Sequence, residues 1–225
     1  MLWTRASRWL TRPTRTQCSD AVRSSSTLSE ELTYPESPSA HHNDLPSFLE
    51  YASRIELDKT STTYVGTHYE YTVLHSLARL GLSLKRIGGK SDHGIDLLGT
   101  WCLPSQMETL KVLVQCKALA RKAEPSLVRE LEGAFVGAPT GWRGSGALAF
   151  LVTQKTATKG VREALGRSRW PMGFITCESD GKLLQMLWNR RAAERGLEGI
   201  GVEVKYEGGD YSEKEILLTW KGDII

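Results

Sequence analysis

Four polar positions fall where a folded chain would bring them together. Residues 112–118, Val-Leu-Val-Gln-Cys-Lys-Ala, read as a strand. Side chains alternate across a strand, so Leu113, Gln115 and Lys117 share one face and Val112, Val114 and Cys116 the other. Two residues of strand separate the glutamine amide from the lysine amine by about 7 Å. Upstream, Asp96 stands between Ile95 and Leu97 at the start of another apolar strand, just after Gly88, Gly89 and Gly94. A carboxylate in that setting is costly unless a cation or hydrogen bonds meet it. A hairpin joining 95–101 to 110–118 would turn near Pro104, Ser105 and Gln106. Asp96 and Gln115 lie almost equally far from that turn, so the register predicts them side by side, with Lys117 just beyond. Glu70 continues the helical stripe Val73, Leu74, Leu77 and Leu80 one turn backward, which aims a second carboxylate at the same place. Asp92 is a lesser candidate, because a loop aspartate can simply cap its turn.

A carboxylate, a side-chain carbonyl and an ammonium meeting at one point fit metal-assisted phosphodiester hydrolysis. In this reading Asp96 ligates Mg²⁺ (or Mn²⁺), and the Gln115 side-chain oxygen and the Cys116 backbone carbonyl complete the protein's share of the shell. Lys117 orients the attacking water or steadies developing charge, and Glu70 holds a further water. Glu130 lies on the helix expected over 126–136, beside Leu127, Leu131, Ala134 and Phe135. It reads either as a buttress for Lys117 or as a surface glutamate with helical neighbours. Arg121 and Lys122 follow the Gln-x-Lys strand, and Lys155, Lys159 and Arg162 follow the apolar run 147–153. These five are candidates for phosphate contacts, and each group also reads as a solvated face. His68, His75 and His93 lack partners at ligand spacing and read as satisfied core or loop histidines.

The elements that must position these residues alternate in type. Helices are expected over 65–80, 126–136, 157–167 and 182–194, with a short one near Pro46. Strands are expected over 83–87, 95–101, 110–118, 147–153 and 172–177. Gly81 should stop the first long helix as a left-handed cap. Such alternation predicts α/β layers around a mixed central sheet. Residues 200–222 alternate differently and read as a C-terminal β-hairpin turning at Gly208, Gly209 and Asp210.

Charge is distributed unevenly along the 225 residues. The first 24 carry five arginines and one aspartate, with Ser and Thr plentiful. Arg8 and Arg12 interrupt any continuous apolar core, which argues against a secretory leader; the segment reads as a mitochondrial transit peptide with a matrix destination, or alternatively as a disordered basic tail that binds nucleic acid. Residues 25–45 are Ser-, Pro- and acid-rich and read as linker. A nuclease-like domain is then expected over 46–199 and the hairpin extension over 200–225. The 46–199 block carries a net +6, which suits a polyanion, and the final 26 residues a net −3, which suits a protein contact. The longest apolar run, 147–152, is far short of the roughly 20 residues of a membrane span. The four cysteines form no CxxC pair, so neither a zinc site nor a disulfide framework is indicated.

Taken in order, Gly-Ile-Asp at 94–96 followed by Gln-x-Lys at 115–117 resembles the PD-(D/E)xK nuclease superfamily, in its Mrr-like branch. With the Arg-rich leader, the chain resembles the fungal mitochondrial family called required for respiratory growth, member seven. The likeness covers roughly residues 64–190. It implies a restriction-endonuclease-like α/β/α core and an active set of Glu70, Asp96, Gln115 and Lys117, with Glu130 as the helix acid. Gln115 replaces the usual acid, which lowers the charge at the metal site and leaves room for a degenerate nuclease. The expected partner is nucleic acid, DNA favoured over RNA. Cutting both strands of a duplex would suit a homodimer. The competing readings are a non-catalytic nucleic-acid-binding module and a protein-binding assembly factor on the same scaffold.

Overall fold

The computed structural model describes residues 32, 34–36, 39–89, 94–104, 109–207 and 213–225. Asp92, His93, the hairpin tip at 105–108, the 208–210 turn and residues 1–31 lie outside them. Chain order begins with α1 (Leu45–Arg54) and α2 (Thr62–Ala78), then β1 (Leu82–Arg86), β2 (Leu97–Trp101) and β3 (Leu110–Lys117). Next come α3 (Pro125–Gly137), β4 (Ala147–Thr153), α4 (Lys159–Arg167), β5 (Met172–Cys177) and β6 (Leu183–Trp188). A short α5 (Arg190–Ala192) leads through a π-type turn to β7 (Ile200–Glu207), β8 (Glu213–Trp220) and β9 (Asp223–Ile224).

Local chemistry sets the helix ends. Asp44 caps α1 by accepting from the Ser47 amide at 2.9 Å, and Ser61 caps α2 by accepting from the Tyr64 amide at 3.2 Å. Gly81 leaves α2 with a positive φ of 83°, as its position predicts.

Strands β1 to β6 form one mixed sheet in sequence order, with β3, β4 and β5 parallel and the other neighbours antiparallel. The two crossovers between these parallel strands put α3 and α4 together on one face. There Val128, Leu131, Ala134 and Phe135 pack with Leu113, Leu151 and Phe174. The opposite face carries α2, through Tyr69, Val73 and Leu77, and the second sheet, through Ile216 and Leu218. A fully buried aliphatic such as Leu77 contributes about 2 kcal/mol of transfer free energy. The Tyr69 hydroxyl donates to the Cys177 carbonyl at 2.8 Å and ties α2 to β5.

Two expectations change. Residues 183–188 are a strand paired antiparallel with β5, not the first half of a helix over 182–194. Leu, Gln and Met favour helix in isolation, but the sheet edge left by β5 overrides that preference. Asn189 then caps α5 and starts a new direction. The C-terminal hairpin is present as β7 and β8, but β9 adds a third strand and the sheet packs onto the main core.

Candidate functional site

The site lies at the C-terminal end of β3, where β1 and β2 complete the sheet edge. Leu97 pairs with Val114, and one further step of that register places Asp96 opposite Gln115, as the hairpin arithmetic predicts. Asp96 is stitched between two strands. Its amide donates to the Val114 carbonyl at 2.9 Å, and its carbonyl accepts from the Ile87 and Gly88 amides at 2.8 and 2.9 Å. Its Oδ2 accepts from the Cys116 amide at 2.6 Å. Its backbone is therefore fixed before any ligand arrives.

The other carboxylate oxygen of Asp96 faces Glu70. Oδ1 of Asp96 and Oε2 of Glu70 both lie within 3.2 Å of the point where a Cβ on Gly88 would sit. Glycine at 88 is thus what lets the two acids converge. Gly94 does the same on the other side: it sits at φ +79°, and a Cβ there would meet the Gln115 amide nitrogen at 3.0 Å.

Gln115 is 1% exposed. Its Nε2 donates to Glu130 Oε1 at 2.8 Å, and its buried Oε1 has no hydrogen-bond partner among the described residues. A carboxylate opposite the amide fixes which end is nitrogen, so the orphan is the carbonyl oxygen. An unmet buried acceptor costs about 1–3 kcal/mol, which a cation or donor would recover. The Lys117 ammonium also donates to Glu130 Oε1, at 2.6 Å. Glu130 therefore reaches across from α3 to both strand residues while its own side chain stays 46% exposed.

The Cys116 side chain points to the α2 face with Val112 and Val114. Burial, then the negative charges of Asp96 and Glu70, push its thiol well above the usual range. It stays protonated near neutrality and is no nucleophile; only its backbone belongs to the site.

Sequence reasoning missed Arg86. Its Nε donates to Glu70 Oε2 at 2.5 Å, and both side chains are little exposed. Its guanidinium also lies 5.5 Å from the centre of the Tyr71 ring. Glu70 therefore meets a guanidinium through Oε2. The available signal was position: Arg86 ends the strand two residues before Gly88.

The five expected phosphate contacts do not enter this cluster. Arg121 pairs with Glu124 at 3.0 Å and Lys159 approaches Glu163 at 3.9 Å, both on exposed surface. Lys122, Lys155 and Arg162 are exposed as well. Among the described residues, no three His, Cys, Asp or Glu side chains gather as a metal site. A hard cation at the β3 end would therefore draw on Asp96, the Gln115 side-chain oxygen and the Cys116 carbonyl, and the orphan acceptor on Gln115 fits such a group. No described helix is long and apolar enough to cross a membrane.

Fold and cluster together define a layered α/β protein with a mixed six-stranded sheet and an acid–amide–lysine cluster at one sheet end. The chain belongs to the family described as required for respiratory growth protein 7, whose model matches residues 61–109 and 103–206. It is 33% identical over 158 residues to an uncharacterized mitochondrial protein of Schizosaccharomyces pombe, covering 68% of this chain and 62% of that one. It is 30% identical over 139 residues to the mitochondrial required for respiratory growth protein 7 of Vanderwaltozyma polyspora, covering 43% of this chain and 54% of the relative. The counterpart of Zygosaccharomyces rouxii is 24% identical over 195 residues, covering 64% and 80%. The chain thus spans less than two thirds of the first two relatives. These relatives are mitochondrial, and so is this protein. No solved structure matches the chain.

Proposed function

We propose that this protein is a metal-dependent phosphodiesterase of the PD-(D/E)xK type, acting on nucleic acid in mitochondria and supporting respiratory growth as its relatives' names describe. The observation that carries the reading is the buried Gln115 carbonyl oxygen, unpartnered among the described residues, two strand residues from Lys117 on the same face and across from Asp96. Asp96, Gln115 and the Cys116 carbonyl would hold Mg²⁺, which supplies Lewis acidity to a phosphoryl oxygen. Lys117 carries the positive charge that orients a water or offsets charge growing on the phosphate. Glu130 holds that ammonium and the Gln115 amide in register. Asp96 accepts from the Cys116 amide and so keeps one carboxylate oxygen turned toward the Gly88 hollow.

The test is Mg²⁺- or Mn²⁺-dependent cleavage of plasmid, single-stranded DNA and RNA by the full chain. Wild type should cut, and Asp96→Asn and Lys117→Met should each lose roughly 10²-fold or more. Wild type that binds these substrates and never cuts them would sink the enzymatic reading.

A second reading has its own support. The Arg86–Glu70 pair occupies a carboxylate that a hydrolase would use on water. A chain that binds phosphodiester without cleaving it would keep such a pair closed, and the same assay separates the two.

A further inference from the structure

The sheet has a second charged end. β5 runs parallel to β3, so Met172, where β5 begins, lies at the opposite end of the sheet from Lys117. At about 3.3 Å per residue, the six residues of β5 put roughly 20 Å between the two ends. A cleft of about 340 Å³ opens there, lined by Arg167, Arg169, Arg190 and Arg191 with Ser168 and Asn189.

The cleft is built rather than incidental. Asn189 is 7% exposed and uses its whole side chain to hold four segments. Its Oδ1 accepts from the Met172 amide at 3.2 Å and the Ala192 amide at 3.0 Å. Its Nδ2 donates to the Leu165 carbonyl at 3.1 Å and the Trp170 carbonyl at 2.8 Å. One fully satisfied amide thus joins the end of α4, the 168–171 loop, the start of β5 and α5. Trp170 stacks on Phe135 at 4.8 Å and anchors the same loop to α3. The arginines come from two segments about twenty residues apart, and this frame fixes their backbones around one hollow.

Charge in the hollow is not balanced from within. Glu194 pairs with Arg190 at 2.7 Å and Arg191 at 3.1 Å, while Glu163 approaches Arg167 at 4.0 Å. Two carboxylates face four guanidiniums. The arginine side chains of these pairs are 58–89% exposed, so the contacts are weak and exchangeable. Like charges held together attract a polyanion, and the guanidinium fork matches phosphate oxygens in a way a lysine does not. Stable anchoring to a bilayer takes a second, apolar signal beside the charge. Among the described residues the large exposed hydrophobics are Leu49, Ile55, Val65, Val136, Val204, Tyr206 and Ile224, and none lies in the segments that form the cleft.

We infer that this cleft is a second phosphate-binding site, which takes the sugar-phosphate backbone of a nucleic acid at a distance from the Asp96–Lys117 cluster. The test is anisotropy of labelled single-stranded and duplex oligonucleotides on the full chain, titrated with salt in the presence of EDTA. Binding alone is read, so the result does not depend on whether the protein cuts. The combined variant Arg167→Gln, Arg169→Gln, Arg190→Gln, Arg191→Gln should bind roughly tenfold or more weakly and lower the slope of log affinity against log salt by about 0.7 per lost single-strand contact. Inorganic pyrophosphate should compete for wild type and not for the variant. The exposed pair Lys59→Gln with Lys221→Gln should leave affinity and slope unchanged. If the fourfold variant melts early, Arg190→Gln with Arg191→Gln should still give about half the change in slope. Unchanged affinity and slope in these variants would overturn the assignment. So would pyrophosphate binding without oligonucleotide binding, or arginine-dependent binding confined to anionic vesicles.

Discussion

Two acid–base pairs flank Asp96, and water reaches them differently. On the α2 face, Arg86 and Glu70 are 11% and 14% exposed. On the α3 face, Lys117 and Glu130 are 29% and 46% exposed. The sheltered pair has given up its hydration and depends on its partner. The open pair can break and reform at little cost. The difference separates an exchangeable charge from a committed one: Lys117 can let go of Glu130 at little cost, while Arg86 is committed to holding Glu70, so a phosphate of the proposed substrate would meet Lys117 first.

Breaking the sheltered pair should have the largest effect. Arg86→Leu leaves the Glu70 carboxylate without its guanidinium and should cost about 3 kcal/mol or more in urea unfolding. Gly88→Val tests the ground between the pairs, since its Cβ would meet Asp96 Oδ1 at 3.1 Å and Glu70 Oε2 at 3.2 Å. It should cost about 1–3 kcal/mol by the same measurement. Glu130→Ala addresses the open pair. Stability should fall by about 1–3 kcal/mol, most of it from the buried Gln115 amide left without its acceptor rather than from the exposed ion pair, while Lys117 becomes more readily acylated, read by peptide mapping. An Arg86 variant as stable as wild type would erase the distinction between the two pairs.

The smallest effect sharpens the sheltered side. His42 donates to or accepts from the Tyr71 hydroxyl at 2.8 Å, and Arg86 lies over the same Tyr71 ring. Burial first, then the charge of Arg86, lowers the His42 pKa. The folded state therefore binds a proton less readily than the unfolded state. The stability this gives is complete above the unfolded value of about 6.5 and declines as pH falls through and below it. Thermal melts on either side of that pH should show the decline, and His42→Phe should flatten it.

The strands and their register were legible because the relevant signals are local. Alternation put Gln115 and Lys117 on one face, and the distance from one turn set Asp96 opposite Gln115. β6 was not legible, because Leu183, Gln185 and Met186 suit either state and only the free edge of β5 decides between them. The Asp180–Gly181 turn before it was the unread signal. Arg86 escaped for a different reason. Nothing along the chain links it to Glu70, sixteen residues earlier; the helix–strand packing does. The arginine cleft likewise needs Asn189 to draw two distant segments together.

Glu130 Oε1 serves two donors at once, the Gln115 amide and the Lys117 ammonium. A single acceptor shared in this way makes the two residues thermodynamically epistatic. Were the ammonium drawn off toward the phosphate of the proposed substrate, the acceptor would hold the amide more strongly and keep its carbonyl oxygen turned the other way. Occupancy at one position thereby sharpens geometry at its neighbour, and losses from substituting both will not sum.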